Sequence, residues 1–308
     1  MSQNQIGRSD AFSTTIYDKE QPLITVAMPV YNAGKHLRFA VLSIVSQSYL
    51  NWELLIIDDG STDNSFNDIA NIIDERIKIF RDGMNRGLAN RLNEAVDMAK
   101  GSYFARMDGD DVSYPERFAR QLSALQNELE LDLVATRAIT IDENNQALGL
   151  FPYAISHKEI CAKPWRGFYF PHPTWMGKIE WFRTNRYKIP GPFCCEDQEL
   201  LLRTYNNSRL ATLDDILFAY RLRDRVVWRK LSTTRCAVFI NQLKCFIKFK
   251  QYQFLILATI AFMGKFSSDF LKKMKGTPFR LGADFMPDTE QLKWHKVFDS
   301  LKTPPTVP

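Results

Sequence analysis

Ala105-Arg106-Met107-Asp108-Gly109-Asp110-Asp111 sets three carboxylates around one glycine, directly behind the apolar residues 102–105 and shortly ahead of Pro115. An apolar run that opens into acid and glycine predicts a buried strand running out into a turn. Three anions this close repel one another at neutral pH. Two arrangements relieve the repulsion. Hard oxygen ligands suit Mg²⁺ or Mn²⁺, ions that keep positions open for water and substrate phosphates. Alternatively the acids form a solvated turn ahead of a helix starting near Pro115-Glu116, whose N-terminus favours negative charge.

Upstream of the acidic turn, strands and helices alternate. Residues 22–30 hold an unalternated apolar run, Leu23-Ile24-Thr25-Val26-Ala27-Met28, which predicts a strand buried on both faces and ending in Pro29-Val30-Tyr31-Asn32. Residues 37–47 have helical spacing. Trp52-Glu53-Leu54-Leu55-Ile56-Ile57 predicts a second strand, running into Asp58-Asp59-Gly60-Ser61-Thr62-Asp63, with a helix expected over 65–74. A short strand at 77–80, a turn at Asn85-Arg86-Gly87 and a helix at 88–99 complete the series. This order signals a parallel α/β sheet, whose ligands bind at the carboxyl ends of the strands. The polar ends of the first, second and fourth strands should therefore meet in one crevice. The sequence has no GxGxxG and no Walker loop, which argues against dinucleotide oxidoreductases and P-loop enzymes.

Downstream, 115–130 reads as an amphipathic helix, 133–136 and 138–142 as strand, and 143–170 as irregular and aromatic. Phe170-Pro171-His172-Pro173-Thr174-Trp175-Met176 forms a tight aromatic approach to another strand. Glu196-Asp197-Gln198-Glu199-Leu200-Leu201-Leu202-Arg203 has acids first and leucines behind, the pattern of a helix start. Residues 210–217, continuing to 221, predict a closing strand.

The 308 residues are 45% hydrophobic and 24% charged, an ordinary globular balance, and the net charge is +5. That charge is uneven. Between Arg221 and Arg280 fourteen Lys and Arg face two acids, Asp224 and Asp269, so the rest of the chain is net acidic. Residues 234–263 mix apolar and aromatic residues with Lys244, Lys248 and Lys250. The longest apolar run, 254–264, is far shorter than a spanning helix needs. A helix packed on the body is one reading. An amphipathic helix lying in the membrane interface, with lysines snorkelling, is the other, and the charge excess favours it. Nucleic acid is not expected, since no reading module is present. Five cysteines without CxxC spacing, and a polar lead-in over 1–21 with no apolar signal core, predict a reducing, cytoplasmic setting.

Taken in order, Pro29-Val30-Tyr31-Asn32, residues 53–63, Asn85-Arg86-Gly87, Asp108-Gly109-Asp110 and Glu196-Asp197 resemble glycosyltransferase family 2, the inverting nucleotide-sugar enzymes, and in particular those of bacterial cell-surface polysaccharide and lipopolysaccharide synthesis. The resemblance covers about residues 22 to 220. It implies a GT-A fold: an α/β, Rossmann-like, mostly parallel central sheet flanked by helices. A nucleotide-binding half would span 22–112 and an acceptor half 113–225, with a helical C-terminal extension at 226–308. It implies a nucleotide-sugar donor, most simply a UDP-sugar, contacted by Pro29, Tyr31, Asn32, Asp59, Asn85, Gly87, Asp108, Gly109 and Asp110. It implies Mn²⁺ or Mg²⁺ on Asp110, with Asp108 on the ion's surroundings or the ribose. Asp197 would be the general base, with Glu196, His172 and Trp175 near the acceptor or the phosphates. Trp165 and Trp181 are further candidates for stacking on an acceptor sugar. Many members carry Ala-Arg-Asn where this chain has Arg91-Leu92-Asn93, so the resemblance assigns neither Arg86 nor Arg91 to the phosphates. The acceptor would be a glycan or polyprenyl-diphosphate-linked sugar on the cytoplasmic face of the inner membrane. Two alternatives stay open at this point: a nucleotidyltransferase, which leaves Glu196-Asp197 without a task, and a non-catalytic nucleotide-sugar-binding membrane scaffold.

Overall fold

The computed structural model describes residues 21–192, 194–222, 228–275 and 286–302. Residues 1–20 of the expected lead-in, and the expected boundary at 225, lie outside the described residues. The first half alternates as its hydrophobic pattern demands: β1 (Ile24–Val30), α1 (His36–Val45), β2 (Trp52–Asp58), β3 (Ile77–Arg81), α2 (Leu88–Met98) and β4 (Tyr103–Arg106). Then come β5 (Val112–Ser113), α3 (Arg117–Asn127), β6 (Leu133–Ile141), β7 (Ala147–Leu150), α4 (His157–Ile160), β8 (Met176–Lys178), α5 (Ile179–Thr184), α6 (Glu196–Thr204) and β9 (Leu210–Arg221). Three helices follow, α7 (Trp228–Lys248), α8 (Tyr252–Met274) and α9 (Asp288–Lys302).

Among the described residues the strands form one sheet in the order β3-β2-β1-β4-β8-β6-β9-β5, with β7 added to β6. The pairs β1·β2, β2·β3, β1·β4 and β6·β9 are parallel, and β8 runs against both β4 and β6. Six of the nine strands therefore point the same way. Every residue of β1 and β2 is buried, because each face of the sheet carries its own core. Ala27 and Phe104 face Leu92, Phe182 and Leu200 on one side. Val26 and Met28 face Leu37, Phe118 and Leu122 on the other. The register aligns Val30 with Asp58. It thereby brings the ends of β1 and β2 together with the acidic turn after β4.

Four local expectations change. The helix expected over 65–74 is only a short 3-10 turn, Asn67–Ile69. Asp63 captures both the backbone N–H and the hydroxyl of Ser65, and Arg38 binds the Asp68 carbonyl and Asn71, so side chains take up groups a helix would use. The stretch 143–170 is more regular than its composition suggests. It holds a hairpin, β7 on β6, and α4, whose Ser156–Glu159 capping box satisfies both partners. The apolar tail forms two helices rather than one. The chain breaks at Lys250, which adopts a left-handed φ of 56°. Finally, α8 has 23 residues and a mean hydropathy of 1.5 over its most apolar window, enough in length and composition to cross a membrane. Counting only uninterrupted apolar residues understates it.

The last helix returns to the body. Trp294 is fully buried beside Tyr114, and its indole N–H donates to the Asn145 carbonyl at 3.0 Å.

Candidate active site

Three loops meet at the carboxyl ends of β1 and β2. Asn32, at a left-handed φ of 51°, accepts hydrogen bonds on Oδ1 from the backbone N–H groups of Thr62 (2.8 Å) and Asp63 (3.3 Å). The Asp63 carboxylate in turn accepts from Gly34 N–H at 2.8 Å. Asn32 thus ties one loop to the other. Asp59 is buried and accepts from the N–H groups of Arg86 (2.7 Å) and Gly87 (3.0 Å) and from Arg91 Nε (2.9 Å). Gly60, at φ +76°, passes so close to the next turn that a Cβ would stand 3.0 Å from Asn85 N. Pro29 is buried in β1 opposite Ile57, whereas Tyr31 is half exposed and Asn85 lies at the surface. Arg91 is buried among Asp59, Asp82 and Glu94.

The acidic turn follows β4. A Cβ on Gly109 would stand 3.0 Å from Val30 Cγ2, so the turn closes directly onto the end of β1. Oxygens of Asp108, Asp110 and Asp111 lie within 4.8 Å of one another. Asp111 is buried. Its Oδ1 accepts from Arg221 N–H at 2.7 Å, and its Oδ2 has no partner. Burial, then the charges of Asp110 and Asp108, push the Asp111 carboxyl well above the usual carboxylate range. Arg221 braces the turn from β9, donating to the Asp110 carbonyl at 2.6 Å and to Asn145 Oδ1 at 2.7 Å. An orphaned buried carboxylate oxygen among two further carboxylates is an oxygen-only donor set, and it fits a hard divalent cation.

A second acidic group stands at the start of α6. His172, Glu196 and Asp197 bring ligand-type atoms within 4.8 Å of one another. Burial, reinforced by Asp197, lifts Glu196 to about 7. Burial also raises Asp197, against the amide of Gln198, which donates to its Oδ2 at 3.1 Å. Burial, with Arg106 nearby, holds His172 well below the ordinary histidine value, so its ring is neutral. His172 Nε2 lies 2.7 Å from the Tyr187 hydroxyl, and its Nδ1 lies 3.9 Å from Glu196.

Arg106 joins the two groups. Its guanidinium is buried, and it contacts Asp108 at 2.8 Å while Nε and Nη1 have no hydrogen-bond partner. Burial opposes its charge, but Asp108, Tyr187 and Glu196 outweigh that cost and keep it protonated. A buried cation between two acidic clusters holds both in its field.

The site therefore gathers Asp108, Asp110, Glu196, Asp197 and His172 around Arg106. It does not gather the tryptophans. Trp175 is fully buried, edge-on to His172 at 4.6 Å, with its N–H given to the Phe170 carbonyl. Trp181 is buried and bonded to Ser208, and Trp165 stacks on Phe254 of α8. Expected acceptor stacking by Trp175 is corrected: its indole is spent on walling His172, because a large aromatic this close to the sheet fills core. Sequence reading missed Arg106, Tyr187, Gln198 and Arg221 as site residues. Arg106 carried a visible signal, a charge at the end of an otherwise apolar buried strand, which must find a partner.

Comparison with known proteins matches residues 25–186, more than half of the chain, to the family model described as glycosyl transferase family 2. The chain is 35% identical over 219 residues to the putative glycosyltransferase EpsE of Bacillus subtilis (strain 168), covering 69% of this chain and 77% of that one. It is 33% identical over 227 residues to the O-antigen biosynthesis glycosyltransferase WbnJ of Escherichia coli, covering 70% and 87%. It is 31% identical over 141 residues to the E. coli UDP-Glc:alpha-D-GlcNAc-diphosphoundecaprenol beta-1,3-glucosyltransferase WfgD, covering 45% and 54%. Among solved structures, S. aureus TarS 1-349 in complex with UDP superposes with a TM-score of 0.53 at 16% identity, covering 71% of this chain and 65% of that one. Mannosyltransferase PcManGT from Pyrobaculum calidifontis, in complex with GDP-Man and Mn2+, gives 0.55 at 14% identity, covering 92% and 86%. Both likenesses concern the fold, which is GT-A. The family model matched over more than half the chain, on this fold, with relatives such as EpsE and WbnJ at 35% and 33% identity, makes this protein a glycosyltransferase, a member of glycosyl transferase family 2.

Proposed function

We propose that this enzyme is an inverting, metal-dependent glycosyltransferase of cell-surface polysaccharide synthesis. It takes a hexose from a UDP-sugar to a hydroxyl of a glycan or lipid-linked acceptor at the cytoplasmic face of the membrane. The observation that carries this reading is the meeting of two acidic groups of different character around Arg106. The relatives WbnJ and WfgD support the pathway class, and the bound UDP of TarS supports the donor.

In this reading Tyr31, Asn32, Asp59, Asn85 and Gly87 form the nucleotide end, with Pro29 behind them. Asp110 would hold Mn²⁺ or Mg²⁺, assisted by Asp108, and Gly109 lets the turn approach. Such an ion, when bound, stabilises the charge that develops on the departing diphosphate. Asp197 accepts the proton of the attacking hydroxyl as the oxygen bonds to the anomeric carbon and the bond from that carbon to phosphate breaks. A carboxylate with raised proton affinity suits this task near neutral pH. The charge of Asp197 helps to hold a proton on Glu196, and neutral His172 offers an N–H or a lone pair to the sugar or phosphates. The α7–α8 hairpin rests on the membrane. Ile256, Ile260, Met263, Leu271 and Met274 of α8 are exposed, and Lys272, Lys273 and Lys275 lie at its end.

The test is incubation with a set of nucleotide sugars and Mn²⁺. Release of nucleoside diphosphate with transfer of the sugar is the expected result. Release of the sugar as its 1-phosphate, with the nucleoside monophosphate moved to the acceptor, would instead assign nucleotidyl transfer.

A further inference from the structure

Helix α7 packs directly on α6. The Cys245 thiol donates to the Leu202 carbonyl at 3.1 Å, and Gln242 donates to the Pro164 carbonyl at 2.9 Å. Between α7, α8 and residues 164–168 this leaves a cleft of about 250 Å³. One wall is aromatic, with Trp165, Phe239 and Phe262, the last two stacked at 4.3 Å. The charged lining is basic, Arg166, Arg235 and Lys265, with Thr234 and Gln242 as neutral polar neighbours. A single acid, Asp269, meets Arg235 at 2.7 Å, which leaves the group two positive charges in excess. Lys265 donates to the Arg166 carbonyl at 3.1 Å. Burial and the repulsion of Arg235 and Arg166 lower its pKa, the mark of cations crowded without enough counter-charge. At the inner end Gln198 also lines the cleft, and the same side chain donates to Asp197. Helix α8, which forms one wall, exposes Ile256, Ile260 and Met263 elsewhere on its surface.

We infer that this cleft binds the diphosphate of an isoprenoid-diphosphate-linked acceptor. Arg166, Arg235 and Lys265 hold the anion, Trp165, Phe239 and Phe262 cover the first carbons of the lipid, and the attached sugar points past Gln198 to Asp197. Charge complementarity and the aromatic wall select a group that is both doubly anionic and apolar at one end. The acceptor that gives the relative WfgD its name, a diphosphoundecaprenol-linked sugar, is of that chemistry. The inference rests on the glycosyl-transfer reading and extends it to the acceptor.

The test uses the full chain and farnesyl diphosphate as the probe, with UDP and Mn²⁺ titrated in parallel. Farnesyl diphosphate should bind at least about tenfold more tightly than either inorganic pyrophosphate or farnesol. The double substitution R166Q/K265Q should weaken farnesyl diphosphate about tenfold or more while leaving UDP binding and the melting temperature unchanged. R166K/K265R should restore most of the affinity. Equal binding of pyrophosphate and farnesyl diphosphate would overturn the lipid assignment. So would indifference of farnesyl diphosphate binding to R166Q/K265Q, or its displacement by saturating UDP. Failure of the probe to bind a protein that still turns over its donor overturns the cleft alone. Failure of every nucleotide sugar to bind or react overturns the reading beneath it.

Discussion

The two acidic groups of this enzyme contain the same kinds of atoms and differ in what surrounds them. Asp108, Asp110 and Asp111 lie in a turn braced from behind by Arg221, with three carboxylates and an orphaned buried oxygen. His172, Glu196 and Asp197 lie at a helix start walled by Trp175 and Tyr187, where burial raises both acids and keeps the histidine neutral. The first arrangement favours a divalent cation and the second favours a proton. Environment separates the roles of chemically alike groups, and Arg106 keeps the two neighbouring clusters from destabilising each other.

Several substitutions would break or sharpen that contrast. The largest effect is expected from Asp197→Asn, which removes the proton acceptor. The turnover rate should fall about 10²- to 10⁴-fold with donor affinity unchanged, as read from steady-state kinetics and UDP titration. Full turnover by this variant would remove Asp197 from the base role. Asp110→Ala should cost about 10²-fold or more, and should also abolish the response of the remaining activity to Mn²⁺. A Mn²⁺ titration separates the two variants, since Asp197→Asn should keep its metal response. Arg106→Gln leaves acids on both sides without their shared cation, so denaturant unfolding should show a loss of about 3–5 kcal/mol. A loss below about 1 kcal/mol would show that the clusters do not depend on it. The smallest effect should come from Glu196→Gln. The base must be unprotonated to act, and burial holds Asp197 above its ordinary value, so activity in the native enzyme should rise with pH above the usual carboxylate range. Removing one carboxylate of the pair relieves repulsion, and the rising limb of the pH–rate profile should move to lower pH. A limb that stays in place would uncouple Glu196 from the base.

Some of this was legible in the chain and some was not, for physical reasons. β1 and β2 read as buried strands because they are apolar at every position, and residues buried on both faces leave no alternation to confuse. The acidic turn and the α6 start read clearly because Gly109 and the acid-then-leucine order mark local geometry. The segment 65–74 misled because Asp63, Ser65 and Asn71 divert hydrogen bonds that propensity cannot foresee. In the tail, the break at Lys250 depends on a left-handed backbone angle in a residue that usually avoids it. The meeting of Arg106 with Glu196 depends on where β8 and α6 return to the sheet, and no short pattern records that return. Trp175 looked like a sugar platform for the same reason: burial is a property of the assembled fold.

The account turns on a cation held by the turn after β4 and facing Asp197 across the sugar. Crystals grown with Mn²⁺ and UDP, with anomalous scattering recorded at the manganese edge, test this most directly. The account predicts a single peak bonded to Asp110 and to the diphosphate. A peak seated instead among His172, Glu196 and Asp197, or a diphosphate lodged away from both groups, would contradict it.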